Sequence, residues 1–251
     1  MLNKEKRIIS ICPAFNEDTR MGDFLKKFQE AKEKLVDEML IVDDGSTDNT
    51  AEIVKQYGVT VISHEKRMGV GAALRTGIEY SLKNNYNIVV FLAPNGKDDP
   101  REIPIVTKPI LDGNADFVQG SRYLNGSRTG KYMPWQRRLG TRFHALLIRL
   151  ATGFPATDTT NGFRAFKIDI FRDKRINLQQ KWLDGYSLES YLYLMILKLN
   201  YKSIEAPVSK IYLKAIYNFN FSKSGGLSKI KPFIDQWKMI KPLVYYIQGK
   251  L

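Results

Sequence analysis

"RIISICPAFNEDTRMGDFLKKFQEAKEKLVDEMLIVDDG", Arg7 to Gly45, decides the fold. It opens on "RIISICPAF" and closes on "DEMLIVDDG", two short β-branched runs that end in turn residues and read as strands. Between them "TRMGDFLKKFQEAKEKL" places its apolar residues at helical spacing. The stretch is therefore a β-α-β unit.

The alternation continues outward. "TDNTAEIVKQYG" and "GVGAALRTGIEYSLKNN" read as helices, and "VTVISH" and "NIVVFLA" as strands. This predicts an α/β fold with a doubly wound, mainly parallel central sheet, whose ligands gather at the carboxyl ends of the strands. Ser46 and Thr47 stand where they can cap the helix that follows, and Pro100 before "REIPIV" opens another. After Asp116 come a strand "DFVQGSRY", a polar loop and a basic helix "QRRLGTRFHALLIRLATG". "GFRAFKIDIF", a helix near "SLESYLYLMILKLN" and a strand "KSIEAPVS" follow, without internal repeat or low-complexity tract.

The tail "SKIKPFIDQWKMIKPLVYYIQGKL" sets Ile230, Phe233, Ile234, Trp237, Ile240, Leu243 and Val244 at helical spacing among lysines. It suits a helix docked on the domain or an interfacial helix on anionic lipid, with Pro232 and Pro242 placed to break or kink it. We assign residues 1–215 to the α/β domain and 216–251 to a basic amphipathic segment, either docked on that domain or lying at the membrane interface.

Composition narrows the function. At 251 residues and 43% hydrophobic content the chain can bury a large core. Its single cysteine, Cys12, excludes a disulfide framework and a cysteine metal site, and reads as a small core hydrophobe in a reducing compartment. The N-terminus carries no apolar run of signal-peptide length, and nowhere do about 18 uncharged apolar residues run together, so a cytoplasmic protein without a membrane span is expected. His64 and His144 have no ligand spacing and read as structural.

The formal charge of +13 calls for an anionic partner. Between Asp116 and Asp158 there is no acid, while Arg122, Arg128, Lys131, Arg137, Arg138, Arg142 and Arg149 fall in that gap; Tyr201 to Leu251 carries nine lysines against Glu205 and Asp235. Nucleic acid is disfavoured as the partner, because no recognised binding motif or interleaved aromatic stripe accompanies the charge.

Seven segments together resemble glycosyltransferase family 2, in particular its dolichyl- and polyprenyl-phosphate sugar synthase branch. They are "PAFNE", "IVDDGSTDNT", "GVGAALRTGI", "GKDDP", "GSRY", "RRLGTR" and "DTTNGFRAF", in the family's order. The resemblance implies the nucleotide-diphosphosugar transferase fold, GT-A. It also implies an inverting transfer of sugar from a nucleotide-diphosphate sugar to a membrane lipid acceptor, polyprenyl phosphate, by a peripheral enzyme on the inner face of the membrane. Two alternatives stay open: a transferase extending a lipid-linked or surface polysaccharide, and a catalytically silent nucleotide binder.

By the same resemblance Pro13, Ala14, Phe15, Glu17, Asp43, Asp44 and Arg75 belong to the nucleotide site, with Ala93, Pro94 and Asn95. Arg122, Arg137, Arg138 and Thr141 would hold phosphate groups, and Asp158, Lys97 and Arg122 would serve catalysis. For a hydroxyl acceptor the base could be Asp158, Asp184 or Glu189; an ionised phosphate acceptor needs none. Trp135 and Tyr132, before the basic helix, could line an acceptor channel. In most relatives the loop after the fourth strand reads Asp-x-Asp, then glycine and often glutamine, and helps Mg²⁺ or Mn²⁺ hold the diphosphate. Here Ala93, Asn95 and Lys97 take those places, so protein charge is expected to replace the metal.

Overall fold

The β-α-β unit read from Arg7 to Gly45 forms, and the sheet grows from it on both sides. A computed structural model describes residues 6–31, 34–212 and 234–251. Strand β1 (Ile8–Ala14) pairs in parallel with β2 (Glu38–Asp43) after helix α1 (Asp18–Gln29), with Ile11 opposite Leu40. Helix α2 (Thr50–Gln56) leads to β3 (Thr60–Ser63), and α3 (Val70–Lys83) crosses over to β4 (Ile88–Phe91), which lies on the other side of β1. A strand order that reverses beside β1 leaves a crevice at the carboxyl ends of β1 and β4.

A 3₁₀ turn (Pro100–Glu102) and α4 (Ile103–Leu111) lead to β5 (Phe117–Ser121), and α5 (Trp135–Thr152) leads to β6 (Arg164–Lys167). A short α6 (Asp169–Arg172), a 3₁₀ turn (Lys181–Leu183) and α7 (Ser187–Lys198) precede β7 (Ser203–Pro207). The order across the sheet is β3-β2-β1-β4-β6-β5-β7, and β6 alone among the described strands is antiparallel to its neighbours.

β1 shows why the sheet is covered on both faces. Ile9 and Ile11 enter one apolar cluster, and Cys12 and Ala14 the other, as the two-residue period of a strand requires. Cys12 has no exposure, and burial raises its thiol far above the reactive range, in keeping with a core hydrophobe. Helix α3 lies so close to β1 that a Cβ on Gly77 would stand 2.3 Å from Ile11 Cγ2. Phe91, Phe117 and Phe166 lock β4, β5 and β6 together, with ring centroids 4.7 Å apart for Phe91–Phe166 and 5.0 Å for Phe117–Phe166. Truncating one such ring costs about 3–5 kcal/mol.

Two sequence expectations change. Ser46 and Thr47 do not cap α2: the Ser46 hydroxyl donates to Asp43, and Thr47 N–H donates to Asn16 Oδ1 at 2.8 Å. Asp48 serves the first turn instead, accepting from Thr50 N–H at 3.0 Å. In the tail, α8 (Ile234–Ile247) contains Pro242 without stopping there, and packs against α7 and α5. Ile230, Pro232 and Phe233, and the boundary at 215/216, lie outside the described residues.

Candidate active site

The carboxyl ends of β1, β2, β4 and β5 open into a cavity of about 740 Å³, within the size range of small-molecule sites. Pro13, Ala14, Phe15 and Glu17 follow from β1, Asp44 from β2, and Ala93, Pro94, Asn95 and Lys97 from β4. Arg122 comes from the end of β5, Arg137 from the first turn of α5 and Glu189 from that of α7.

One wall is built by Asp44. Its carboxylate accepts from the backbone N–H of Met68 and of Gly69, both at 2.8 Å, and lies 2.9 Å from His64 Nδ1. Asp44 thus pins Met68 and Gly69 along the cavity wall, where Arg67 lies over the Phe15 ring at 4.2 Å. Asp43 is turned to Ser46 and does not line the cavity.

The glycine-rich stretch before α3 has a packing role. Gly71 and Ala72 N–H donate to the Asp184 carbonyl at 2.8 and 3.1 Å, so the start of α3 is already capped by the 183–185 turn. A Cβ on Gly69 or Gly71 would meet backbone of that turn within 2.4 Å. Arg75 donates to Asp184 Oδ1 and lies outside the cavity lining, whereas Asp184 lines the cavity.

The opposite wall is cationic and centres on Tyr212, which is fully buried. Arg122 Nη1 donates to its hydroxyl at 2.9 Å, while Lys97 Nζ lies 5.7 Å and Arg137 Cζ 5.8 Å from its ring centroid. Arg122 is held from behind by Asp158, which has no exposure and accepts from Arg122 Nε at 2.6 Å and from its backbone N–H at 3.1 Å. Burial works against the Arg122 charge, but Asp158 outweighs it and holds the guanidinium protonated above its ordinary range. Asp158 itself does not line the cavity. Burial, with Arg137 and Lys210 alongside, pushes the Lys97 ammonium down to about 7.

Thr141, buried in α5, bonds the Tyr123 hydroxyl and the Arg138 carbonyl, and Arg138 points to solvent. His144 is buried against Thr159, 2.6 Å from Nδ1 to Oγ1, and burial lowers its pKa, which suits a neutral structural link. Tyr132 and Trp135 are exposed near the entrance to α5. The sequence reading missed Arg20, Arg67, Lys210 and Tyr212, which carry no motif; Lys210 and Tyr212 reach the site because Ile211 N–H donates to the Lys97 carbonyl at 2.9 Å.

The loop after β4 does not fit a divalent cation. Ala93 offers a methyl group, Asn95 Oδ1 accepts from Lys97 N–H at 3.1 Å, and Lys97 brings a positive charge. The loop's carboxylates are spent: Asp98 binds Lys210 at 2.6 Å, and Asp99 caps the next turn and pairs with Arg101. No group of three His, Cys, Asp or Glu suited to a metal occurs among the described residues.

Comparison with known proteins agrees with this architecture. Residues 10–174 match the family described as "Glycosyl transferase family 2". An uncharacterized protein of Methanocaldococcus jannaschii is 31% identical over 97% of this chain and 95% of its own length. UDP-N-acetylglucosamine–dolichyl-phosphate N-acetylglucosaminyltransferase of Methanococcus voltae is 30% identical over 83% of this chain and 87% of its own. Polyprenol monophosphomannose synthase of Mycolicibacterium smegmatis is 25% identical over 81% and 77%. Among solved structures, glucosyl-3-phosphoglycerate synthase of Mycobacterium tuberculosis, in complex with Mn²⁺, UDP and glucosyl-3-phosphoglycerate, superposes with a TM-score of 0.69 at 19% identity, covering 97% of this chain and 81% of that one.

Proposed function

This chain belongs to glycosyl transferase family 2, and from that premise we propose that it moves a sugar, with inversion, from a nucleoside diphosphate to the phosphate of a polyprenyl lipid. The observation that carries the proposal is the set of three cations, Lys97, Arg122 and Arg137, gathered on Tyr212 at the strand ends. Two relatives in this family are named for transfer to dolichyl phosphate and for polyprenol phosphomannose synthesis, which supports a lipid phosphate as acceptor.

The step is a single displacement. An oxygen of the acceptor phosphate attacks the anomeric carbon from the face opposite the diphosphate, the new C–O bond forms, and the bond to the diphosphate breaks with its electron pair leaving on the diphosphate oxygen. A phosphate monoester is largely ionised at neutral pH, so no protein base has to remove a proton. The chain's task is to stabilise charge on the leaving group and to hold two anions close together, a term worth several kcal/mol in such sites. Arginine forks suit both phosphates.

Asp158 acts in this scheme by holding Arg122. Glu189 lines the cavity with a carboxylate that forms no ion pair among the described residues, and it suits the donor sugar's hydroxyls.

The acceptor's bilayer has a matching surface. On α5, Trp135, Leu139, Phe143, Leu146 and Leu150 form one stripe and are 47 to 76% exposed, flanked by exposed Arg138, Arg142 and Arg149 with no acid between Asp116 and Asp158. Apolar residues edged by arginine fit an anionic lipid surface. No helix among the described residues is long and apolar enough to cross a membrane. We place the enzyme peripherally on the inner face, with the segment from residue 216 as a second contact.

The test is purified protein with radiolabelled sugar nucleotides and polyprenyl phosphate in anionic vesicles. Label entering an organic-soluble, mild-acid-labile product is expected. Label transferred only to a polysaccharide, or no transfer with any donor, would overturn the proposal.

A further inference from the structure

We infer that the Lys97 ammonium takes the place of a divalent cation, so that this enzyme binds its donor diphosphate and expels it without metal. The inference deepens the proposed function and rests on it for the identity of the ligand. Four observations support it.

First, the charge has changed sign at the loop as a whole. Two side chains without charge and one ammonium occupy the positions Ala93, Asn95 and Lys97, and a cation placed there would meet Lys97 as a repelling neighbour. Second, Lys97 is a built feature and no stray surface lysine. It is 8% exposed and lines the cavity, its backbone carbonyl is fixed by Ile211 N–H at 2.9 Å, and its ammonium lies 5.7 Å from the buried Tyr212 ring.

Third, among the described residues no carboxylate forms an ion pair with it. Asp98, next in the chain, is taken by Lys210 at 2.6 Å, with Asn161 as a second acceptor for Lys210 at 3.2 Å. Lys97 therefore sits buried beside Arg137 and Lys210, and the attraction of Asp98 offsets their effect and that of burial only in part, at a cost to the folded protein. Burial first, and then Arg137 and Lys210, bring its pKa to about 7, and an anion bound beside it would relieve that repulsion. Fourth, the repulsion is local. Other buried cations of the site are matched, Arg122 by Asp158 and Lys210 by Asp98.

A diphosphate supplies negative charge beside Lys97. When the sugar leaves, charge grows on the diphosphate oxygen and Lys97 can donate a hydrogen bond to it, with Arg137 and Arg122 alongside. Bonds and charges balance as in the displacement above, and no metal enters.

The experiment is calorimetry with UDP and GDP as probes on the whole protein, in EDTA and in Mn²⁺. Equal affinity in both media, within about twofold, is expected. Lys97→Gln should weaken binding by more than about tenfold, while Lys97→Arg keeps it, with circular dichroism confirming that both variants are folded. In an Ala93→Asp, Asn95→Asp, Lys97→Gln variant, binding should return only with Mn²⁺. Wild-type binding that needs Mn²⁺ and vanishes in EDTA would overturn the inference while leaving the family assignment and the proposed function intact. Failure of any nucleoside diphosphate to bind in either medium would overturn the proposed function itself.

Discussion

Arg122 and Asp158 form a buried salt bridge, Nε to Oδ2 at 2.6 Å, in which neither side chain is more than 2% exposed. Asp158 therefore acts on the reaction through Arg122. Asp158→Asn leaves a buried guanidinium uncompensated, and breaking such a pair costs about 3–5 kcal/mol. Urea unfolding should show that loss. In the surviving folded fraction the donor KM should rise with any acidic limb of the wild-type pH profile unchanged; loss of such a limb in Asp158→Asn would assign Asp158 as a base.

Gly71→Ala separates two roles of the glycine-rich stretch. An ordinary helical glycine replaced by alanine gains about 1 kcal/mol. Here the new Cβ would stand 1.9 Å from the Leu183 carbonyl oxygen and 2.6 Å from that of Gly185, both backbone atoms that cannot swing away. A loss of about 1–3 kcal/mol is expected instead, read as a lower Tm with nucleotide absent.

That case shows what the sequence could and could not reveal. The β-α-β runs are legible because strand and helix periods are local, and they place Pro13 to Glu17, Asp44 and the loop at Ala93 to Lys97 at strand ends without further information. The partners are not legible. Nothing local tells that Asp44 will bind Met68 and Gly69, that the Asp184 carbonyl will cap α3, or that Lys210 will neutralise Asp98 from 112 residues away. Tyr212 illustrates the limit: a lone tyrosine past the last strand becomes the centre of the cationic wall only through the segment that pairs with Lys97.

Lys97 gives the protein a pH dependence whose sign follows from its position. An unfolded lysine titrates near about 10.4, whereas Lys97 in the folded, unliganded protein titrates at about 7. Between those values the unfolded chain keeps a proton that the folded chain has released, so stability due to this group rises with pH across that window. Diphosphate binding runs the other way, because it needs the ammonium. From about pH 7.5 to about pH 9 UDP affinity should fall by up to about tenfold per unit, with proton uptake on binding visible as a dependence of calorimetric heat on buffer. Lys97→Arg should flatten both. An affinity independent of pH in the wild type would show that Lys97 does not meet the diphosphate.

The stripe on α5 predicts a separation of donor and acceptor functions. Leu139, Phe143, Leu146 and Leu150 face away from the core, while Thr141, His144, Ala145 and Ile148 of the same helix are buried, so charge can be added to the outer face without entering the fold. Removing apolar area from a membrane contact costs about 25 cal/mol per Å². Replacing two of the stripe residues, as in Leu146→Glu with Leu150→Glu, should thus cost a few kcal/mol of membrane affinity and add repulsion from anionic headgroups. Flotation with anionic vesicles should show the double variant in the unbound fraction, and Tm and UDP affinity should match the wild type. Transfer to polyprenyl phosphate in those vesicles should fall by more than about tenfold, and a detergent-dispersed acceptor should restore much of it. Unchanged flotation would show that α5 does not face the bilayer.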